Sequence, residues 1–246
     1  MTSLHGRAAL VTGGSRGIGG AIARRYAGAG ASVAITYAHS REAAEATVDA
    51  LTAEGAPDAV AIQADAADAA QVRTVPDAVA ERFGRLDIVV NNAGILAGGP
   101  LDDCTEDDFD RIVDVNLRAV FLTAQAAARH LGAGGRLIQI GSIFGERAPL
   151  PGLGFYSMTK AGVAALTRAW ARDLAPRGIT VSCIQPGPID TELNPADGDL
   201  AAALTPQVAL QRYGTAEEVA EAALFLAGPG SSYVTGAILN VDGGYE

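Results

Sequence analysis

Ala8-Ala9-Leu10-Val11-Thr12-Gly13-Gly14-Ser15-Arg16-Gly17-Ile18-Gly19 is the stretch that decides how this chain folds. Its first four residues form an apolar run of strand length, and a helical pattern, Gly17 to Ala29, follows the glycines with no spacer. Glycines here let the backbone turn tightly, come close to a pyrophosphate and pack the new helix on the sheet. The helix N-terminus adds free N–H donors and positive partial charge. Outward from this turn the rhythm repeats. Ser32 to Tyr37, Ala59 to Gln63, Leu86 to Asn91, Arg136 to Ile140, Ile179 to Ile184 and Ala237 to Val241 read as strands. Arg41 to Glu54, Asp68 to Phe83, Glu106 to Leu131, Tyr156 to Ala175 and Ala216 to Leu226 read as helices, several with a capping residue such as Ser40, Thr105 or Thr215 in front. Pro76 sits awkwardly inside one of them, and Thr74 is an alternative cap for a helix starting near Pro76. Strands apolar on both faces, alternating with helices, predict an α/β fold: a doubly wound, Rossmann-type parallel sheet of about seven strands with helices on both faces.

No linker, repeat or low-complexity block breaks this rhythm, so residues 1–246 are expected to form a single domain for dinucleotide binding and catalysis. One long irregular segment, about residues 186–211, follows a strand and is expected to be the substrate loop. Hydrophobic residues make up 49% of the chain and charged residues 19%, which supplies a core and excludes a disordered chain. The net charge of −10 argues against nucleic acid as a partner. Cys104 and Cys183 lie far apart, and His5, His39 and His130 are scattered, so neither a disulfide framework nor a metal site is expected. With no leader pattern and no apolar run of about 18 residues, the expectation is a cytoplasmic protein with no membrane partner.

The end of the second strand discriminates between nicotinamide cofactors, because an acid there bonds the 2′-hydroxyl of NAD and repels the 2′-phosphate of NADP. Here it reads Thr36-Tyr37-Ala38-His39-Ser40-Arg41, with no acid before Glu42. Arg16 in the turn and Arg41, with the Ser40 hydroxyl and the next helix N-terminus, suit a phosphate dianion. NADP(H) is therefore expected in preference to NAD(H). Asp65, after the third strand, can accept a bond from the adenine amino group.

Tyr156 and Lys160 stand at i and i+4, on one helix face, where an ammonium stabilises phenolate over phenol. The motif alone is weak. Of the 18 Lys and Arg residues, however, 17 are arginine, and the single lysine is the one four residues after this tyrosine. Only there does the chain keep the compact ammonium. Together with the TGGSRGIG turn at 12 to 19, Asp65, Asn91-Asn92-Ala93-Gly94, Asn116 in DVNL, Ser142 in IGS, the YSMTK segment, Pro186-Gly187-Pro188-Ile189-Asp190-Thr191 and a terminal Val241-Asp242-Gly243-Gly244, this resembles the short-chain dehydrogenase/reductase family over essentially the whole chain.

That resemblance implies roles. Tyr156 would be the general acid toward a carbonyl oxygen and the base in reverse. Ser142 would bond the same oxygen, Lys160 would hold the nicotinamide ribose and the tyrosine, and Asn116 would position a water in a proton relay. Gly13, Ser15, Arg16, Gly17, Ile18 and Gly19 would take the pyrophosphate, and Tyr37, His39, Ser40, Arg41 and Asp65 the adenosine end. Asn92, Ala93, Gly94, Pro186, Gly187, Ile189 and Thr191 would line the nicotinamide side. Related enoyl reductases place six residues between tyrosine and lysine. Here there are three, and Leu153 stands seven before Lys160, so a carbonyl is the expected hydride acceptor.

Leu96, Ile143, Phe144, Leu153 and Pro188 are expected to wall the substrate, and their apolar character suits an apolar ketone. A 3-oxoacyl-acyl-carrier-protein reductase is the alternative. It would need basic residues at the mouth, for which only Arg129 and Arg177 offer themselves. A non-catalytic nucleotide-sensing regulator would have lost catalytic residues that this chain keeps. The resemblance also implies a homotetramer joined through the Glu106 to Leu131 and Tyr156 to Ala175 helices.

Overall fold

The computed structural model describes residues 2–245. Strands β1 (Ala8–Val11), β2 (Ser32–Tyr37), β3 (Ala59–Gln63), β4 (Ile88–Asn91), β5 (Arg136–Ile140), β6 (Thr180–Pro186) and β7 (Ala237–Val241) pair in parallel in the order β3-β2-β1-β4-β5-β6-β7. Side-chain alternation assigns each strand residue to one of two layers. Val11, Val33, Ile35, Val90, Ile138 and Ile184 meet α1 (Gly17–Gly28) and, later in the chain, the helix Ala216–Ala227. Leu10, Ala34, Val89, Leu137 and Val181 pack on the opposite face. Burying each such side chain contributes about 1.5–3 kcal/mol, so a strand buried on both faces is worth its near-continuous apolar sequence.

Helices α2 (Arg41–Ala53), α3 (Ala69–Phe83), α4 (Glu106–Val113), α5 (Ala119–Ala127) and α6 (Gly154–Leu174) complete the two layers, with short α7 (Ala201–Leu204) and then α8 (Ala216–Ala227). One expectation is corrected, and one open alternative falls away. The segment from Glu106 to Leu131 is not one helix: a π-turn, Asp114–Arg118, separates α4 from α5, and the last four residues form a turn and its exit. The cause is Asn116, whose side chain binds the Ile95 backbone on both sides and holds the widened turn there. Thr74 caps no helix. Asp68 does, accepting from Ala70 and Gln71 N–H, and α3 runs on through Pro76, with the Thr74 hydroxyl bonded to the Gln71 carbonyl one turn before the proline.

The segment after β6 is more ordered than its composition suggests. Ile189–Asp190 pairs with Gly214–Thr215 as a two-residue parallel ladder, and α7 follows a short loop. The sheet order reverses between β1 and β4, whose carboxyl ends open a crevice. There the glycine turn faces Asn91 to Gly94.

Candidate active site

The glycine turn is built by hydroxyls and one amide. Gly13 N donates to Thr36 Oγ1 at 3.0 Å, while Asn92 N and Ala93 N donate to Thr12 Oγ1 at 2.9 and 3.0 Å. Asn92 Nδ2 donates to the Thr12 and Gly13 carbonyls at 2.9 and 3.1 Å, so its amide holds the turn to β4. Gly17 has φ of +53°, in the region that favours glycine. A methyl at Gly19 would stand 2.4 Å from both Asn92 Nδ2 and the Gly13 carbonyl. Arg16 caps α1 without a side-chain bond, and the first turn carries no acid. The amides of Gly17, Ile18 and Gly19 therefore remain available to an anion, which is the chemistry a pyrophosphate requires.

At the end of β2, His39 and Ser40 are exposed. Tyr37, expected at the adenosine end, instead packs its side chain into the core on the α1 face. Ser40 Oγ accepts from Ala43 N and caps α2, and Thr47 Oγ1 donates to Ser15 O at 3.1 Å, docking α2 on the turn. Both expected phosphate ligands are engaged within the chain: Arg41 with Glu45 at 2.7 Å, and Arg16 with Glu192 at 2.9 Å. Asp65 is half-buried and accepts from Ala67 N at 2.9 Å.

Ser142, Asn116 and the α6 pair Tyr156 and Lys160 come from three places in the sequence. Ser142 ends the β5 segment and starts a 3₁₀ turn, Ile143–Gly145, and its Oγ accepts from Phe144 N at 3.2 Å. That bond leaves the hydroxyl proton free to donate. A methyl at Gly145 would lie 2.8 Å from the Lys160 carbonyl carbon and Ala161 N, so α6 presses directly on this turn. The contact brings the Lys160 backbone against the turn that Ser142 caps. Lys160 is only 6% exposed; its Nζ donates to Ile140 O at 3.0 Å and lies 5.7 Å from the Tyr156 ring centroid. A methyl at Gly94 would sit 3.3 Å from Asn116 Oδ1 and 3.5 Å from Lys160 Nζ, so all three border one space. Asn116 Oδ1 accepts from Ile95 N at 2.9 Å, and its Nδ2 donates to Ile95 O and Thr159 Oγ1. Burial pushes the nearby Cys183 thiol up to about 11, against the opposing pull of Lys160, so this cysteine stays a neutral packing group.

Gly187 N donates to Val241 O, which brings the Pro186-Gly187-Pro188-Ile189 segment over the crevice, with Pro186, Pro188 and Ile189 buried. The Thr191 methyl would lie 3.7 Å from a methyl at Gly17, so this segment returns to the glycine turn. On the substrate side Leu96 is exposed, while Phe144 and Leu153 are half-buried. Ile143 is the correction here: it is buried with Leu204, Val208, Tyr213 and Tyr245 and supports the wall from behind. Nothing in the sequence singled out that cluster, because its members come from a loop and the chain's end. Phe144 meets Tyr245 edge-on at 5.7 Å, and Tyr245 Oη bonds Gln207 Oε1 at 3.0 Å. Glu192 was missed for the same reason. No helix in the described residues is long and apolar enough to cross a membrane, and no His, Cys, Asp and Glu cluster there could hold a metal.

A family model described as enoyl-(acyl carrier protein) reductase matches residues 13–246. The chain belongs to the short-chain dehydrogenase/reductase family. By that membership it is an oxidoreductase. A short-chain dehydrogenase from Burkholderia cenocepacia, solved in complex with NADP, is 52% identical over 98% of both chains with a TM-score of 0.96. A cyclic-di-GMP-binding biofilm dispersal mediator protein of Escherichia coli is 41% identical over 100% of this chain and 99% of its own. The 3-oxoacyl-acyl-carrier-protein reductase of Staphylococcus aureus is 41% identical over 97% of each chain. In this chain Leu153, seven residues before Lys160, begins α6 as its cap and bears no hydroxyl.

Proposed function

We propose that this short-chain dehydrogenase/reductase is an NADPH-dependent carbonyl reductase acting on a small or medium apolar ketone, reversible as an alcohol dehydrogenase. The observation that carries the reading is the buried Lys160 ammonium, held by Ile140 O beside the Tyr156 ring, with Ser142 two residues beyond Ile140 in the chain. The uncapped α1 N-terminus and the absence of an acid at the end of β2 support NADP(H), as does the NADP complex of the Burkholderia relative.

The residues divide the work. Ser142 donates its free O–H to the substrate carbonyl oxygen and orients it, and Tyr156 passes its proton to the same oxygen. Lys160 stabilises the negative charge left on the tyrosine oxygen. Asn116 holds the Ile95 backbone and Thr159, keeping the floor of the site in place for a water-borne proton. Gly13, Ser15, Gly17, Ile18 and Gly19 would hold the pyrophosphate. Arg16, Ser40 and Arg41 would hold the 2′-phosphate, and Asp65 the adenine. Gly94, Ile189 and Thr191 would border the nicotinamide. When bound, NADPH supplies the hydride. Leu96, Phe144 and Leu153 would contact the substrate body.

The Staphylococcus relative favours a second reading, a 3-oxoacyl-acyl-carrier-protein reductase. The surface argues for the first. Arg129 is paired with Asp77, and Arg177 donates to the Ala128 and Leu131 carbonyls, while the substrate loop bears Asp190, Glu192, Asp197 and Asp199. An acidic carrier meets repulsion there. Exposed Phe109, Phe121 and Met158 on α4, α5 and α6 support a homotetramer through these helices, measurable by light scattering on a sizing column. The deciding assay is NADPH oxidation against ketones, β-keto esters, quinones and a β-ketoacyl thioester. Reduction of a simple ketone with little turnover of the thioester supports the reading; preference for the thioester moves the carrier reductase ahead.

A further inference from the structure

Glu192 belongs to no expected site, yet it pairs with the one cation of the glycine turn. Asn194 N donates to Thr191 O at 3.0 Å, closing a tight turn that carries Glu192 at its tip. From there its Oε2 reaches Arg16 Nη1 at 2.9 Å, across 176 residues of sequence. The two groups stand on opposite lips of the crevice: Arg16 on the cap of α1, Glu192 on the segment that follows the buried Ile189. Both side chains are well exposed, at 60% and 68%, so neither is fixed by packing and either is free to swing.

We infer that Glu192 is a positioning residue for cofactor choice: it holds Arg16 until a 2′-phosphate displaces it, and so sets how strongly the chain prefers NADP(H). The inference rests on the NADP(H) reading proposed above. The pair is a single contact, Nη1 to Oε2, so Glu192 competes through charge: a phosphate dianion arriving at the same guanidinium meets a carboxylate of like sign. The phosphate dianion must therefore take Arg16 from Glu192, whereas NAD(H) lacks that group and leaves the pair intact. Glu192 thus opposes NADP(H) selectively, and removing its charge should sharpen the preference. Exposed ion pairs contribute little, so the expected gain is about two- to fivefold in affinity.

The test is the dissociation constant of NADPH and of NADH, read from nicotinamide fluorescence on the full chain. Glu192→Gln should bind NADPH about two- to fivefold tighter and NADH unchanged, and Glu192→Asp should fall between it and the parent. In an Arg16→Ala background the Gln substitution should have no further effect. Unchanged NADPH affinity, an equal change for both cofactors, or an effect that survives Arg16→Ala overturns the inference while leaving the cofactor reading standing. A parent chain that binds NADH as tightly as NADPH overturns both.

Discussion

Lys160 shows how much one side chain carries. It is buried, donates to a single main-chain carbonyl, and borders the space at Gly94 where Asn116 also points. An arginine there would need to place a flat, five-donor fork where one carbonyl accepts. The chain uses arginine at every other cationic position, so Lys160→Arg is the substitution its own composition recommends and the site forbids. It should lower kcat by about 100-fold or more, the scale of a lost proton-transfer partner, and raise the NADPH dissociation constant. Steady-state kinetics with fluorescence titration would check this; near-parental activity would show that the ammonium is not needed. Tyr156→Phe separates the two functions of the pair. It removes the proton and leaves Lys160 on Ile140 O, so turnover should fall about 100- to 10,000-fold while NADPH still binds. Loss of both together would mean that the hydroxyl also holds the cofactor.

Elements place these residues, and the most exposed dependence is the contact of α6 with the turn after β5. A methyl on Gly145 would meet the Lys160 carbonyl carbon and Ala161 N at 2.8 Å, and backbone cannot swing aside as a side chain does. Gly145→Ala should push α6 away from Ser142, destabilise the chain by about 1–3 kcal/mol and lower kcat, with the distant Arg16 end of the cofactor crevice unaffected. Denaturant melts and NADPH titration would show the split; a kcat unchanged in a folded variant would count against the registering contact. The same elements show what the sequence makes legible. Strands such as Ala8–Val11 and Ser32–Tyr37 were readable to the residue because both faces are apolar and glycine or a capping residue bounds them. Tyr156 and Lys160 are marked by local spacing and a composition bias, whereas Ser142 enters only through the family resemblance. The π-turn at Asp114–Arg118 was not, since its cause is a bond from Asn116 to Ile95, twenty-one residues away. Ile143 and Tyr37 look open in a list of loop and strand-end residues, and only the arrival of α7, Tyr245 and the α1 layer buries them. Patterns that repeat along the chain reveal elements; contacts made by distant segments decide which faces remain free.

Across the whole molecule, the carboxyl ends of the strands hold the crevice and the amino ends hold charge pairs that serve stability. Asp87 stands just before β4, where it accepts from Ala8 N at 2.9 Å and pairs with Arg85 at 2.7 Å and Arg7 at 3.2 Å. Burial alone would push its carboxyl up. The Arg85 bond, the Ala8 amide and Arg7 outweigh that and hold it below the usual carboxylate range. Glu218, in the capping box of α8, is held down to about 2 by Arg212 and by the Thr215 N–H. Both groups are ionised more readily folded than unfolded, where carboxylates titrate near about 4. Their contribution is therefore complete above that value and is lost as pH falls through the folded values toward about 2. The melting temperature should stay level from neutrality to about pH 5 and then fall steeply on acidification. Asp87→Asn should lower it at neutral pH and flatten the acid slope, because the proton uptake linked to that site is gone. An unaltered slope would place acid sensitivity elsewhere. Asp87 is at the opposite end of the sheet from Lys160 and Tyr156, so the same variant, assayed below its melting temperature, should keep the parental rate of NADPH oxidation.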